Sequence, residues 1–185
     1  NNNFFKKDKA LKIINVARFT DQKDQITLLK AFKEFDKLIN ARLLLIGYGV
    51  NKKILLNYIK ENKLTKKIKI LPFQDNPYKF ILKSDIFILT SVYEGLPNVL
   101  LEAMTLKKFI ISSDCPTGPR EILNNGKYGF LFKMKDPEDL RQKIIKYKNN
   151  NSFYKSYINK GFKSLKRFDY DLNCEKYLSI IKKII

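Results

Sequence analysis

The sequence predicts an α/β fold: a Rossmann-like parallel β-sheet of about six strands, with helices on both faces and a helical carboxyl-terminal tail. Three observations carry that prediction. Apolar runs of strand length alternate with segments of helical periodicity, as in successive βαβ units. At 185 residues and 44% hydrophobic, the chain can bury a real core as one domain. From Asp136 onward the pattern is helical alone.

In chain order, LKIINVA (11–17) reads as a buried strand and QITLLKAFKEF (25–35) as the helix that follows it. RLLLIG (42–47) is the second strand, with a helix near 51–62. IKIL (68–71), IFILT (86–90), FIISS (109–113) and GFLF (129–132) complete the six, with short helices near 76–83, 97–106 and 119–124. Pro97 is expected as a first helical residue, where its fixed φ suits the helix and its missing N–H costs nothing. The tail begins with PEDLRQKIIKYK and continues as helices over 152–167 and 171–184. The whole reads as one domain: a linker over 1–10, an α/β core over 11–135 and a helical tail over 136–185.

Composition narrows the function. There is no run of 18 apolar residues, and the opening NNNFFKKDKALK lacks the apolar stretch of a signal peptide, so a cytoplasmic location is expected. Histidine is absent, and Cys115 and Cys174 are far apart without a Cys-x-x-Cys, so a metal site built on His or Cys is not expected. The net charge of +19 invites a nucleic-acid or anionic-lipid partner. Only five of the 37 basic residues are Arg, the side chain that forks onto phosphates, and no nucleic-acid recognition motif is found. Residues 140–185 hold 12 basic against 3 acidic residues. That excess marks either a patch for peripheral attachment to the inner face of the cytoplasmic membrane or a solvated helical face.

In an open parallel sheet, ligands bind beyond the carboxyl ends of the strands. The residues of note fall there: Arg18 and Lys23 after the first strand, Gly47, Tyr48 and Gly49 after the second, Pro72 and Phe73 after the third, Glu94 and Gly95 after the fourth, and 117–121 after the fifth. The Gly-x-Gly at 47–49 lacks the third glycine of a dinucleotide fingerprint, and no Walker sequence exists. In SVYEGLPNVLLEAM (91–104), Glu94 sits in a turn ahead of a helix, while Asn98 and Glu102 lie four apart on one helical face. Two carboxylates and several free backbone N–H groups then converge on one small volume, which suits a ligand carrying both hydroxyls and phosphates.

EGLPNVLLE, together with ARFTDQKD, LLLIGYG and SDCPTGPREIL, resembles the carboxyl-terminal domain of retaining glycosyltransferases of the GT-B fold, family 4. The resemblance runs from about Leu11 to Lys133. It implies one half of a GT-B fold that binds a nucleotide sugar, most often a UDP-sugar, with the acceptor held by an amino-terminal domain that this chain lacks. It also implies a role for each matching residue. Arg18 and Lys23 match the diphosphate-binding pair, Glu94 the acid beside the donor sugar, and Glu102 the acceptor of ribose hydrogen bonds. Gly95 and Leu96 offer backbone N–H groups, and Asn98, Val99 and Leu100 match the helix start that meets the phosphates. No metal or other cofactor is expected, since Arg18, Lys23 and helix amides can carry the charge of a phosphate ligand. For Gly47, Gly49 and Phe73, contact with the nucleoside stands beside plain turn chemistry and packing. For Glu94 the alternative is a loop carboxylate that caps the helix; for Arg18, an ion pair with Asp21 or Asp24. Arg120 is either a phosphate or acceptor contact or a brace for Glu121. The chain departs from the family pattern at Ala17 and Asp24, where glycine is common.

The function expected is donor binding for transfer of a hexose or N-acetylhexosamine to a glycan or lipid-linked acceptor in cell-envelope polysaccharide or glycoconjugate synthesis. The isolated chain is expected to be inactive in transfer. The alternatives are a nucleotide-sugar epimerase of the same fold, or a basic module that binds nucleic acid or anionic lipid.

Overall fold

The computed structural model describes residues 4–5, 9–150 and 152–184. Six parallel strands, β1 (Leu11–Val16), β2 (Ala41–Ile46), β3 (Ile68–Leu71), β4 (Ile86–Leu89), β5 (Phe109–Ser113) and β6 (Phe130–Phe132), form one sheet in the order β3-β2-β1-β4-β5-β6. The helices are α1 (Gln25–Phe35), α2 (Lys52–Glu61), α3 (Tyr78–Ile81), α4 (Asn98–Thr105), α5 (Pro119–Ile122), α6 (Pro137–Asn149), α7 (Lys155–Ser164) and α8 (Tyr170–Ile184). All six expected strands and every expected helix are present, with ends shifted by up to three residues.

Alternation along each strand builds two cores. Ile13, Leu43, Leu45, Ile86, Ile88, Phe109 and Ile111 pack on one face with Leu28, Leu29 and Phe32 of α1 and Leu140 and Ile144 of α6. Ile14, Leu44, Ile46, Phe87, Leu89 and Ile110 pack on the other with Leu100, Ala103 and Met104 of α4 and Ile122 of α5. Burial on both faces explains why these strands are nearly continuous apolar runs. Phe109 anchors an aromatic cluster with Phe130, Tyr147 and Tyr154, its ring 4.6 Å from that of Tyr147.

Three local expectations are corrected. Pro97 is extended (φ −73°, ψ 93°) and stands just ahead of α4, because its carbonyl accepts the Leu100 N–H and so closes the first turn from outside the helix. Within the expected linker, Phe4 and Phe5 pack on the Leu71 and Phe80 side of the sheet, and the Phe4 carbonyl accepts from Arg42. Residues 1–3 and 6–8 lie outside the described residues. The tail is not uniform either: α6 and α7 are docked on the domain, whereas α8 has no buried residue. Tyr170, Tyr177 and Ile184 of α8 are 80%, 71% and 80% exposed. Among the described residues no helix is long and apolar enough to cross a membrane.

Truncating Phe109, fully buried at the aromatic cluster, should cost about 3–5 kcal/mol, whereas Ile180→Ala on α8 should change stability by no more than about 0.5 kcal/mol. Urea-unfolding midpoints of the two variants measure the contrast.

Candidate active site

The strand order reverses between β1 and β4, which is where an α/β sheet leaves a crevice. The two strands pair only at Ile13–Ile86 and Ile14–Phe87. Beyond that point the Asn15 side-chain amide spans the gap, donating to the Ile88 carbonyl at 2.8 Å. The 3₁₀ turn Asp21–Lys23 sits above the gap. It is tied to the chain after β4 by Val92 N–H to the Gln22 carbonyl (2.8 Å), Gln22 Nε2 to the Tyr93 carbonyl (3.0 Å) and Thr90 Oγ1 to the Lys23 carbonyl (2.7 Å). These bonds bring Lys23 to Glu94. Their ion pair is nearly buried, with side chains 15% and 7% exposed. Ser91 Oγ donates to the same carboxylate oxygen, Oε1, at 2.5 Å.

The turn carrying Glu94 leads into α4, whose Val99 and Glu102 line a cavity of about 400 Å³. Arg18, Gly47, Tyr48 and Phe73 line it as well. Arg18 is exposed and makes no ion pair among the described residues. Asp21 instead accepts from Asn51 (2.7 Å) and Asp24 from Thr27 (2.7 Å), so neither serves as its partner. Glu102 is half-buried and its carboxylate has no hydrogen bond among the described residues; burial pushes its pKa up. Among the described residues the cavity therefore holds one free cation, Arg18, and two free carboxylates, the half-buried Glu102 and the exposed Asp75. The rings of Tyr48 and Phe73, 57% and 62% exposed, meet edge to face 6.1 Å apart at its wall.

This geometry coincides with a family assignment. The sequence model described as "Glycosyl transferases group 1" matches residues 1–164. The chain belongs to that family. Among similar group 1 proteins, an uncharacterized glycosyltransferase of Methanocaldococcus jannaschii is 34% identical over 93% of this chain and 50% of its own length. A Campylobacter jejuni enzyme is 32% identical over 88% of this chain and 45% of its own length. Its name describes transfer of N-acetylgalactosamine to a diphospho-undecaprenol-linked saccharide. Among solved structures, Anabaena Alr3699/HepE in complex with UDP superposes with a TM-score of 0.85 at 19% identity, over 94% of this chain and 49% of that one. The chain spans about half the length of these relatives, and its fold is one half of a GT-B glycosyltransferase.

Within this group 1 domain the expected site residues divide. Arg18, Gly47, Phe73, Val99 and Glu102 lie on the cavity wall; Lys23, Glu94, Gly95 and Leu96 lie at the adjoining turn. Asn98 is exposed at the start of α4, and neither its N–H nor that of Val99 has a backbone partner among the described residues. Leu100 is a correction: its side chain is fully buried and its N–H is held by the Pro97 carbonyl at 2.9 Å. Arg120 does not brace Glu121: its guanidinium, on a side chain 63% exposed, grips Asp114 with two bonds of 2.5 and 2.6 Å, outside the cavity lining. Tyr48, which the sequence placed among the rim residues after the second strand without a role of its own, lines the cavity too, and an aromatic between two glycines at a strand end is a legible signal. Ser91 carried no such signal.

The glycines differ in cause. A Cβ on Gly47 would stand 2.0 Å from the Ala17 carbonyl oxygen, and one on Gly49 2.3 Å from that of Phe19. Chain packing therefore demands both. A Cβ on Gly95 would meet nothing within 4 Å, so the fold places no such demand there.

Two outcomes follow. Gly47→Ala should lower the melting temperature by several degrees, as a backbone clash requires, while Gly95→Ala should leave it unchanged; thermal melts of both variants decide this. For Glu102, a pKa raised above its ordinary 4.5 means that the folded state holds the proton more tightly than the unfolded state does. Stability is then fully present below pH 4.5 and falls as pH rises through the window up to the raised folded value. Glu102→Gln, which removes the buried charge, should melt higher than the parent at pH 7 and lose that advantage at pH 4, measured by melting curves across pH.

Proposed function

We propose that the chain is the donor-binding domain of a retaining glycosyltransferase that uses a UDP-sugar and moves its hexose or N-acetylhexosamine to a glycan or lipid-linked acceptor. The observation that carries this reading is the free guanidinium of Arg18 and the free, half-buried carboxylate of Glu102 on the wall of one cavity at the strand-order reversal. The two ends of a nucleotide diphosphate need these two charges. Arg18 meets the diphosphate. Lys23 joins it, since an ammonium has three N–H donors and can keep Glu94 while donating to a phosphate oxygen. The Asn98 and Val99 amides at the start of α4 add donors oriented by the helix dipole. Glu102, ionised, accepts from the two ribose hydroxyls, and Tyr48 and Phe73 offer aromatic surface to the base.

Glu94, with the Gly95 and Leu96 amides, holds the donor sugar. In transfer, the bond from the anomeric carbon to the phosphate oxygen breaks through an oxocarbenium-like state, the acceptor hydroxyl oxygen bonds to that carbon on the same face, and the diphosphate leaves with the bonding pair and takes up the proton of the acceptor hydroxyl. The domain's contribution is to position the donor and neutralise the departing diphosphate, and the reading uses no metal for that charge. Both carboxylates face the donor, unlike the flanking pair of a hydrolase. A UDP donor is supported by solved neighbours that hold UDP, and a lipid-linked acceptor by the Campylobacter relative, which favours cell-envelope glycoconjugate synthesis. The acceptor site is completed by the part of such enzymes outside this chain, so the 185 residues alone bind donor without transferring it.

Calorimetric titration with UDP and uridine tests the reading. Arg18→Ala should weaken UDP by about 1–3 kcal/mol with little change for uridine, and Glu102→Ala should weaken both by a similar amount. Equal losses of uridine and UDP in Arg18→Ala, or no UDP binding by the parent, would overturn it.

A further inference from the structure

The Glu94 carboxylate is held unevenly. Its Oε1 receives both the Lys23 ammonium and the Ser91 hydroxyl, while its Oε2 accepts no hydrogen bond among the described residues. Ser91 is itself fixed: it is fully buried, and its carbonyl accepts from Ser113 Oγ at 2.5 Å. The Glu94 backbone is pinned separately, its carbonyl accepting from Thr117 Oγ1. Lys23 alone could not set the carboxylate plane, because one ammonium at the end of a flexible stem follows the oxygen as it turns. A second donor, rooted in the end of β4 and in β5, removes that freedom.

We propose that Ser91 is a positioning residue for donor-sugar recognition: its hydroxyl, with Lys23, ties one oxygen of Glu94 and so presents the other to hydroxyl groups of the bound sugar. The inference rests on the reading of Glu94 as the donor-sugar contact. Ser91 touches no ligand in this scheme. It acts by holding Glu94 in the one rotation that leaves Oε2 open, the kind of support by which a binding group is kept within a fraction of an ångström of its working geometry.

Titration of the intact protein with UDP, UDP-glucose, UDP-galactose, UDP-N-acetylglucosamine and UDP-N-acetylgalactosamine tests this through the ratio of UDP-sugar Kd to UDP Kd, taken for the tightest sugar. Ser91→Ala should raise that ratio by about five- to tenfold, the upper part of the range for the net worth of one hydrogen bond, with UDP affinity held within about twofold of the parent. Ser91→Cys, which restores volume with a poor donor, should behave as Ser91→Ala does. Glu94→Gln should raise the ratio at least as far, and adding Ser91→Ala to it should bring no further loss, as expected for two residues acting as one unit. A parent-like ratio in Ser91→Ala beside a raised one in Glu94→Gln overturns the role of Ser91 and leaves Glu94 as the sugar contact. Equal losses for UDP and UDP-sugar in Ser91→Ala, or full recovery in Ser91→Cys, assign Ser91 to packing and overturn it as well. An unchanged ratio in Glu94→Gln removes the reading of Glu94 itself, and the inference with it.

Discussion

The parting of β1 from β4 after Ile14 is the constraint on which the rest of the site depends. The sheet grows outward in both directions from this pair, so the helix after β1 packs on one face and the helix after β4 on the other. The rim where the two strands part is closed by small polar devices: the Asn15 amide across the gap, the 3₁₀ turn above it, and the hydroxyls of Thr90 and Ser91. Asn15 satisfies a strand carbonyl that a continued ladder would have paired, while Thr90 and Ser91 satisfy the Lys23 carbonyl and the Glu94 carboxylate. The Asn15 Oδ1 and Thr20 Oγ1 atoms, buried without partners, lie in these same segments.

Charge at the site is arranged on two levels. The Lys23–Glu94 pair is nearly buried, and separating it would leave a charge stranded in a poor solvent. Arg18 is exposed, so its lack of a partner costs little; Glu102 is half-buried and its lack of one is a standing penalty. A fold under selection for stability alone would have paired or neutralised that carboxylate. An unpaired acid on a cavity wall is the form that binding strain commonly takes.

The sheet was legible in the sequence because strands buried on both faces must be apolar at nearly every position, as the runs 43–46 (LLLI) and 86–89 (IFIL) are. Element ends were less so. Pro97 stands one step outside α4 because a carbonyl–amide bond to Leu100, invisible in composition, sets the helix start. Among site residues, Arg18 and Glu102 were legible through their place after a strand and on a helix face. Lys23 was legible in place, after the same strand as Arg18, but its pairing with Glu94 was not, since that partner lies 71 residues away. The free amide of Leu100 and the alternative brace of Arg120 on Glu121 were misjudged because their partners are set by the folded chain, and Ser91 acquires a role only once the folded turn brings it to Glu94.

The fifteen residues of α8 carry an apolar face that this domain does not cover. A helix of that length is marginal in water by itself, because the cost of nucleation is offset by few propagated turns. Its backbone amides therefore exchange with solvent through local fraying, without waiting for the sheet to open. The cooperative unit of this fold thus ends near Phe168, where the last side chain packs on the second core, and α8 behaves as a separate element whose order is set by whatever lies against its apolar side.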